Sequence, residues 1–166
     1  HSMKYLSYRN LGEKGGPEFS QAEVKAIAAS FEVIDGPNAD GEMFERPAKL
    51  SDKFVMPYEN VKAAQAANGG AYPPDMSVLI KARGGGANYI YSLLQGYEDP
   101  PEGVILDDGV YYNKFMYGNK IKMANQLSDG LIQYGDGTEA TVEQMSKDVT
   151  TFLMWTAEPH LEARHQ

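Results

Sequence analysis

Glycine and proline break this chain at short intervals, and that limits every regular element it can form. GEKGGP, DGPNADG, NGGAYPP, RGGG, EDPPEG and YGDG fall one after another between residues 12 and 137. With 17 glycines and 9 prolines among 166 residues, much of the chain is expected to be loop. The length suffices for one domain, 1–166, with a real core. Hydrophobic residues at 42% and charged residues at 23% are ordinary for a soluble globular protein. No apolar run approaches the ~20 residues of a membrane-spanning helix.

Charge and cysteine usage exclude several classes of function. A net charge of −8 argues against nucleic acid, whose phosphates reward lysine and arginine. It suits a basic protein partner met through electrostatic steering. With no cysteine, these residues hold no disulfide, thiolate metal site or thiol nucleophile.

Between the breaks, a few segments read as helices. Ser20 and Glu23 form a capping box before QAEVKAIAASFEV, whose Val24, Ile27, Ala28 and Phe31 share a face. VIDGPNADGEMFERPAKLSD then reads as a long acidic loop without regular structure. ENVKAAQAANGG is a short helix stopped at Asn68-Gly69. After YPP, Asp75 can cap, and Met76, Leu79 and Ile80 give an apolar face. NYIYSLLQGY is a further helix ending near Gly96, and YYNKF and LIQY alternate as short strands or a hairpin. The strongest element is TVEQMSKDVTTFLMWTAEP, with Thr141 and Gln144 at its start. Its Val142, Met145, Val149, Phe152, Leu153 and Thr156 recur at helical spacing.

Several short motifs fail on inspection. Aligning Gly41 with the glycine of an EF-hand puts Gly36 and Pro47 at ligand positions, and neither offers a side-chain oxygen. Asp35–Glu42 is therefore read as a solvated loop or part of a docking face. Arg83-Gly84-Gly85-Gly86 misses both phosphate-binding spacings and reads as a helix-ending turn. Arg83 itself suits either a surface ion pair or a bidentate grip on a ligand carboxylate. His160 and His165 read as a solvated tail. Met123 in NKIKMANQL has two readings, a loop side chain filling a gap in the core or a thioether ligand for a soft metal centre.

Three long stretches carry a resemblance. EVIDGPNADGEMFERPAKLSDKF, AAQAANGGAYPPDMSVLIKARGGGANYIYSLLQGYEDPPEG and YGDGTEATVEQMSKDVTTFLMWTAEPHLEAR, with HSMKYLSYRNL at the start, closely resemble the cytochrome c1 family. That family is the c-type haem subunit of ubiquinol–cytochrome c reductase. The resemblance implies a mostly α, class I cytochrome c-like helical fold around one haem, with long loops and a few short strands. His1 matches the histidine of the family's C-x-x-C-H motif, and its two cysteines are expected just before it. The other reading of HSM is a cloning remnant. A membrane anchor is expected after Gln166.

Carried over residue by residue, the resemblance implies that His1 and Met123 hold the iron of one haem c. Arg83 and Tyr89 fall on the propionate side. Asn68, Pro73, Pro74, Leu79, Leu93 and Ile121 fall where the family lines the haem crevice. Where many relatives carry prolines after the ligand, this chain has Ala124, Asn125 and Gln126, a change expected to stiffen the loop less. The implied role is a subunit of an oxidoreductase complex, no enzyme by itself. It takes electrons from a Rieske iron–sulfur protein and passes them to soluble cytochrome c, beside cytochrome b in a dimeric complex. The implied location is the periplasmic side of a bacterial inner membrane, or the mitochondrial inner membrane facing the intermembrane space. Glu32, Asp35, Asp40, Glu42 and Glu45 are expected in an acidic docking face. The alternatives are a free soluble monohaem carrier and a haem-less acidic binding module.

Overall fold

The structure, a computed structural model, describes residues 1–157; His160 and His165 lie outside the described residues. A 3-10 helix, Tyr8–Gly12, is followed by α1 (Gln21–Ala29), β1 (Glu32–Asp35) and β2 (Phe44–Pro47). Next come α2 (Val61–Ala67), α3 (Gly86–Leu94), β3 (Tyr111–Tyr112), β4 (Lys120–Ile121) and α4 (Val142–Ala157). The strands form two separate antiparallel pairs, β1 with β2 and β3 with β4. Helices with long loops and a few short strands match the mostly α expectation.

Local chemistry explains where the helices start. Ser20 Oγ accepts from the Glu23 N–H, and the Glu23 carboxylate accepts from the Ser20 N–H at 2.8 Å, closing the expected capping box. Asn60 accepts from the Ala63 N–H at 2.9 Å and starts α2. Thr141 Oγ1 accepts from the Gln144 N–H at 3.0 Å and starts α4.

Two apolar clusters form the core, and α4 serves both. The first gathers Tyr8, Leu11, Val24, Ala28 and Ala48. The second gathers Leu79, Ile90 and Leu153, where α3 packs on α4. Phe152 lies against both clusters. The buried stripe of α4 is turned from the expected one. Met145, Ser146, Thr150, Leu153 and Thr156 are buried, while Val149 and Phe152 are only half-buried. Small hydroxyl side chains alternate with Met145 and Leu153 along that line, and Val149 and Phe152 flank it.

Four expectations need correction. The first helix stops at Ala29, because the Ser30 hydroxyl turns back to the Ile27 carbonyl at 2.6 Å. Phe31 therefore leaves the helix face and stacks on Tyr8, with ring centroids 5.7 Å apart. The supposed irregular acidic loop is a hairpin, with Val33 opposite Arg46 and Ile34 opposite Glu45. Its glycines and Pro37 fall in the connection, leaving EVID and FERP free to pair. Asn38 Oδ1 organises that connection by accepting from the N–H groups of Asp40 and Glu42. Residues 77–82 form turns, not a regular helix. LIQY is not a strand; Tyr134 instead donates its hydroxyl to Asp148 on α4.

Hairpin register also decides which charges meet. Val33 and Arg46 share the inward face, so Val33 packs on the first cluster while Arg46 reaches Asp35 and Asp52. The Arg46 guanidinium grips Asp52 through two nitrogens at 2.7 and 3.1 Å. That grip, with the Lys49 N–H, holds the Asp52 carboxyl down at about 2. A carboxyl that is more acidic when folded stabilises fully above its unfolded value of 3.8 and loses that contribution as pH falls through about 2. Asp52→Asn is expected to lower the urea midpoint near neutral pH. The gap to wild type should close between about pH 4 and pH 2. A gap that is constant across those titrations would refute the linkage.

Candidate functional site

The chain start is pinned to a segment more than seventy residues away. Asp75 Oδ2 accepts from the Ser2 hydroxyl at 2.7 Å and from the Lys4 N–H at 2.9 Å. Asp75 Oδ1 accepts from the Ser77 N–H at 3.0 Å, which is the capping role its sequence position suggests. Burial alone would raise this carboxyl, but the hydrogen bonds from Lys4, Ser2 and Ser77 outweigh it and the pKa is lowered. The Met76 N–H adds a bond to the Ser2 carbonyl at 2.8 Å.

That attachment sets His1. Its Nδ1 lies 2.8 Å from the Pro74 carbonyl oxygen. A carbonyl only accepts, so Nδ1 carries the proton, and a neutral ring then keeps its lone pair on Nε2. A histidine so oriented by a backbone carbonyl is prepared for metal ligation. His1 also lines a cleft of about 130 Å³ with Met56, Tyr58, Val61, Tyr72 and Pro73. Ala64 of α2 closes it. The free imidazole nitrogen and the mainly apolar walls have the chemistry to hold an iron porphyrin. The cleft is smaller than the roughly 300–1,000 Å³ of sites that enclose a whole ligand.

The other expected residues divide into groups. Pro74 bonds His1 through its carbonyl, and Pro73 lines the same cleft. Asn68 ends α2 and donates to the Ala64 carbonyl at 2.7 Å and to the Tyr58 hydroxyl at 3.3 Å. Leu79 is buried in the second cluster, and Tyr89 packs against it from α3. Leu93 offers its carbonyl to the Asn113 amide, and Ile121 is buried in β4. Arg83 is exposed just before α3 and donates to the Ala82 carbonyl at 3.1 Å. Among the described residues no carboxylate pairs with Arg83, so its fork is available to an anionic group.

Met123 is half-buried and stands outside the walls of the His1 cleft. Its carbonyl accepts the Tyr97 hydroxyl at 2.7 Å, and burial pushes the Tyr97 phenol up to about 12. Among the described residues its sulfur has no hydrogen bond. The Met116 sulfur, by contrast, accepts the Tyr89 hydroxyl at 3.2 Å. Asn125 and Gln126, expected to stiffen the loop less than prolines would, make only local bonds within it among the described residues. Gln126 donates to the Ala124 carbonyl at 3.0 Å, and Asn125 accepts from the Leu127 N–H at 3.2 Å.

Comparison with known proteins decides the family. The Cytochrome C1 family profile matches residues 1–166. The chain belongs to the cytochrome c1 family. It is 53% identical to "Cytochrome c1-2, heme protein, mitochondrial" of Solanum tuberosum, covering 99% of this chain and 62% of that protein. It is 50% identical to "Cytochrome b/c1" of Bradyrhizobium diazoefficiens, covering 99% of this chain and 27% of that protein. It is 48% identical to "Cytochrome b-c1 complex catalytic subunit, mitochondrial" of Candida albicans, covering 99% and 56%. The chain thus spans less than two thirds of the length of each of these relatives.

Within this chain, sequence reasoning missed most of the cleft walls and one loop anchor. Met56, Tyr58, Val61, Ala64 and Tyr72 carried no spacing that links them to His1. The phenol of Tyr97 follows Gly96 at a helix end, with no local sign of a partner 26 residues on. Among the described residues no helix is long and apolar enough to cross a membrane. Asp75→Ala strips the acceptor from three donors and should cost about 1–3 kcal/mol. Amide exchange at residues 2–4 is expected to accelerate with it, while exchange in α1 stays unchanged. Equal protection of residues 2–4 in variant and wild type would remove Asp75 from its role.

Proposed function

We propose that this chain is the haem-carrying part of an electron-transfer subunit of ubiquinol–cytochrome c reductase. The observation that carries the reading is the His1–Pro74 hydrogen bond at 2.8 Å, which leaves Nε2 as the available donor beside an apolar cleft. Membership of the cytochrome c1 family, and relatives named as heme proteins, support haem c as the group bound.

Residues 1–166 are read as one class I cytochrome c-like domain. Haem iron supplies one-electron chemistry when bound. His1 offers its imidazole Nε2, held in one tautomer by Pro74. Met123 offers a soft thioether, which favours the reduced metal and raises its potential. Arg83 offers paired N–H donors to a propionate carboxylate, with Tyr89 on the same side. Pro73, Pro74, Leu79, Leu93 and Ile121 exclude water, which sets the potential further, and Asn68 stands at the crevice edge. No substrate bond breaks at this subunit.

The electron donor in this reading is a Rieske iron–sulfur protein, and the acceptor is a soluble, lysine-rich cytochrome c. Cytochrome b is a neighbour in a dimeric complex. The complex sits in a bacterial inner membrane facing the periplasm, or in the mitochondrial inner membrane facing the intermembrane space. The β1–β2 hairpin supports the docking role. Glu32 and Glu45 share its outward face, and Asp40 and Glu42 are exposed in its loop. Asp35 is engaged by Arg46, so its charge is already offset.

Replacing the sulfur tests the ligand. Met123→Leu is expected to lower the midpoint potential of the haem-loaded protein sharply. It should also abolish the near-infrared sulfur-to-iron band of the oxidised state. An unchanged potential and band would exclude Met123. Salt tests the docking face. Electron transfer to a lysine-rich acceptor should slow roughly tenfold or more from low to physiological ionic strength. A rate indifferent to salt would exclude steering by the acidic hairpin.

A further inference from the structure

We infer that Tyr97 is a positioning residue for the sulfur of Met123, acting through the hydrogen bond from its phenol to the Met123 carbonyl oxygen. The inference rests on the ligand role proposed for Met123. The segment after β4 has no regular structure from Lys122 to Leu127. Its two internal ties, Gln126 to Ala124 and Leu127 to Asn125, each span two residues and hold the segment only to itself. The Met123 backbone is fixed to the rest of the molecule from two sides. One is Ile121, buried in β4 and paired with Tyr111. The other is the Tyr97 hydroxyl, 2.7 Å from the carbonyl and 26 residues away in the chain.

Tyr97 is itself rigidly held. Its backbone bridges Asn113, which is fully buried. The Asn113 amide donates to the Leu93 carbonyl at 2.8 Å at the end of α3, and its oxygen accepts from the Phe115 N–H at 3.0 Å. Gly96 lies so close to Asn113 that any side chain there would collide with it. The phenol therefore hangs the methionine loop from the end of α3, and α3 packs on α4 in the second cluster. Without the phenol, Met123 stays attached two residues from Ile121, and among the described residues no hydrogen bond from outside its own loop holds its backbone.

The test measures how easily exogenous imidazole displaces the thioether in the full-length, haem-loaded protein. Tyr97→Phe keeps the ring and its packing but loses the donor. It is expected to raise apparent imidazole affinity roughly two- to tenfold, the range set by one net hydrogen bond. The sulfur-to-iron band should weaken with it, while far-ultraviolet circular dichroism stays the same. Site-specific replacement of Tyr97 by 3-fluorotyrosine, a stronger donor on the same ring, should lower imidazole affinity. In a Met123→Leu background, Tyr97→Phe should leave imidazole affinity unchanged. If Met123→Leu abolishes the band but Tyr97→Phe leaves band and imidazole affinity at wild-type values, the positioning role falls and the ligand role stands. If fluorotyrosine shifts imidazole affinity in the same direction as phenylalanine, the positioning role also falls. If Met123→Leu itself leaves the band intact, both fall together.

Discussion

One carboxylate decides where the first residue of this chain sits. Asp75 binds Ser2, Lys4 and Ser77 at once, and the neighbouring Pro74 carbonyl can then meet the imidazole of His1. Remove that clamp and residues 2–4 would lose the two bonds that tie them to the Asp75 carboxylate. Bonds to a charged acceptor are the stronger class of protein hydrogen bond. Such a clamp suits a site whose donor atom must hold one position.

The rest of the architecture keeps this clamp and the methionine loop on common supports. Helix α4 contributes to both apolar clusters, with Phe152 touching each. The first cluster carries the N-terminal segment through Tyr8 and Leu11, and the second carries residues 76–94 through Leu79 and Ile90. Electrostatics follows a separate logic at the surface. The hairpin turns Val33 and Arg46 inward and leaves Glu32 and Glu45 outward, so one register serves packing and an ion network and leaves an acidic outer face.

Legibility in the sequence tracked the range of the interactions. The starts of α1 and α4 were readable because each cap joins residues three apart. The β1–β2 hairpin was unreadable as such. EVID and FERP are too short to signal strands, and pairing across an eight-residue connection decides them. Phe31 fitted the helix period, yet the Ser30 hydroxyl ended the helix and the ring found Tyr8 instead. Residue identity after Met123 showed only that no proline fixes the backbone there; the tie from Tyr97 to the Met123 carbonyl left no local sign.

The amino-acid order by itself determined the family, the helix starts, the acidic charge and the chemical type of each candidate ligand. These depend on residue identity and on neighbours within a turn. Only the tertiary structure decided that His1 meets Pro74 across 73 residues, that Asp35 is engaged while Glu45 is exposed, and that Tyr97 holds Met123. Contacts between residues so far apart in the chain leave no periodic trace in it. They arise when the core brings distant backbone groups within hydrogen-bond reach.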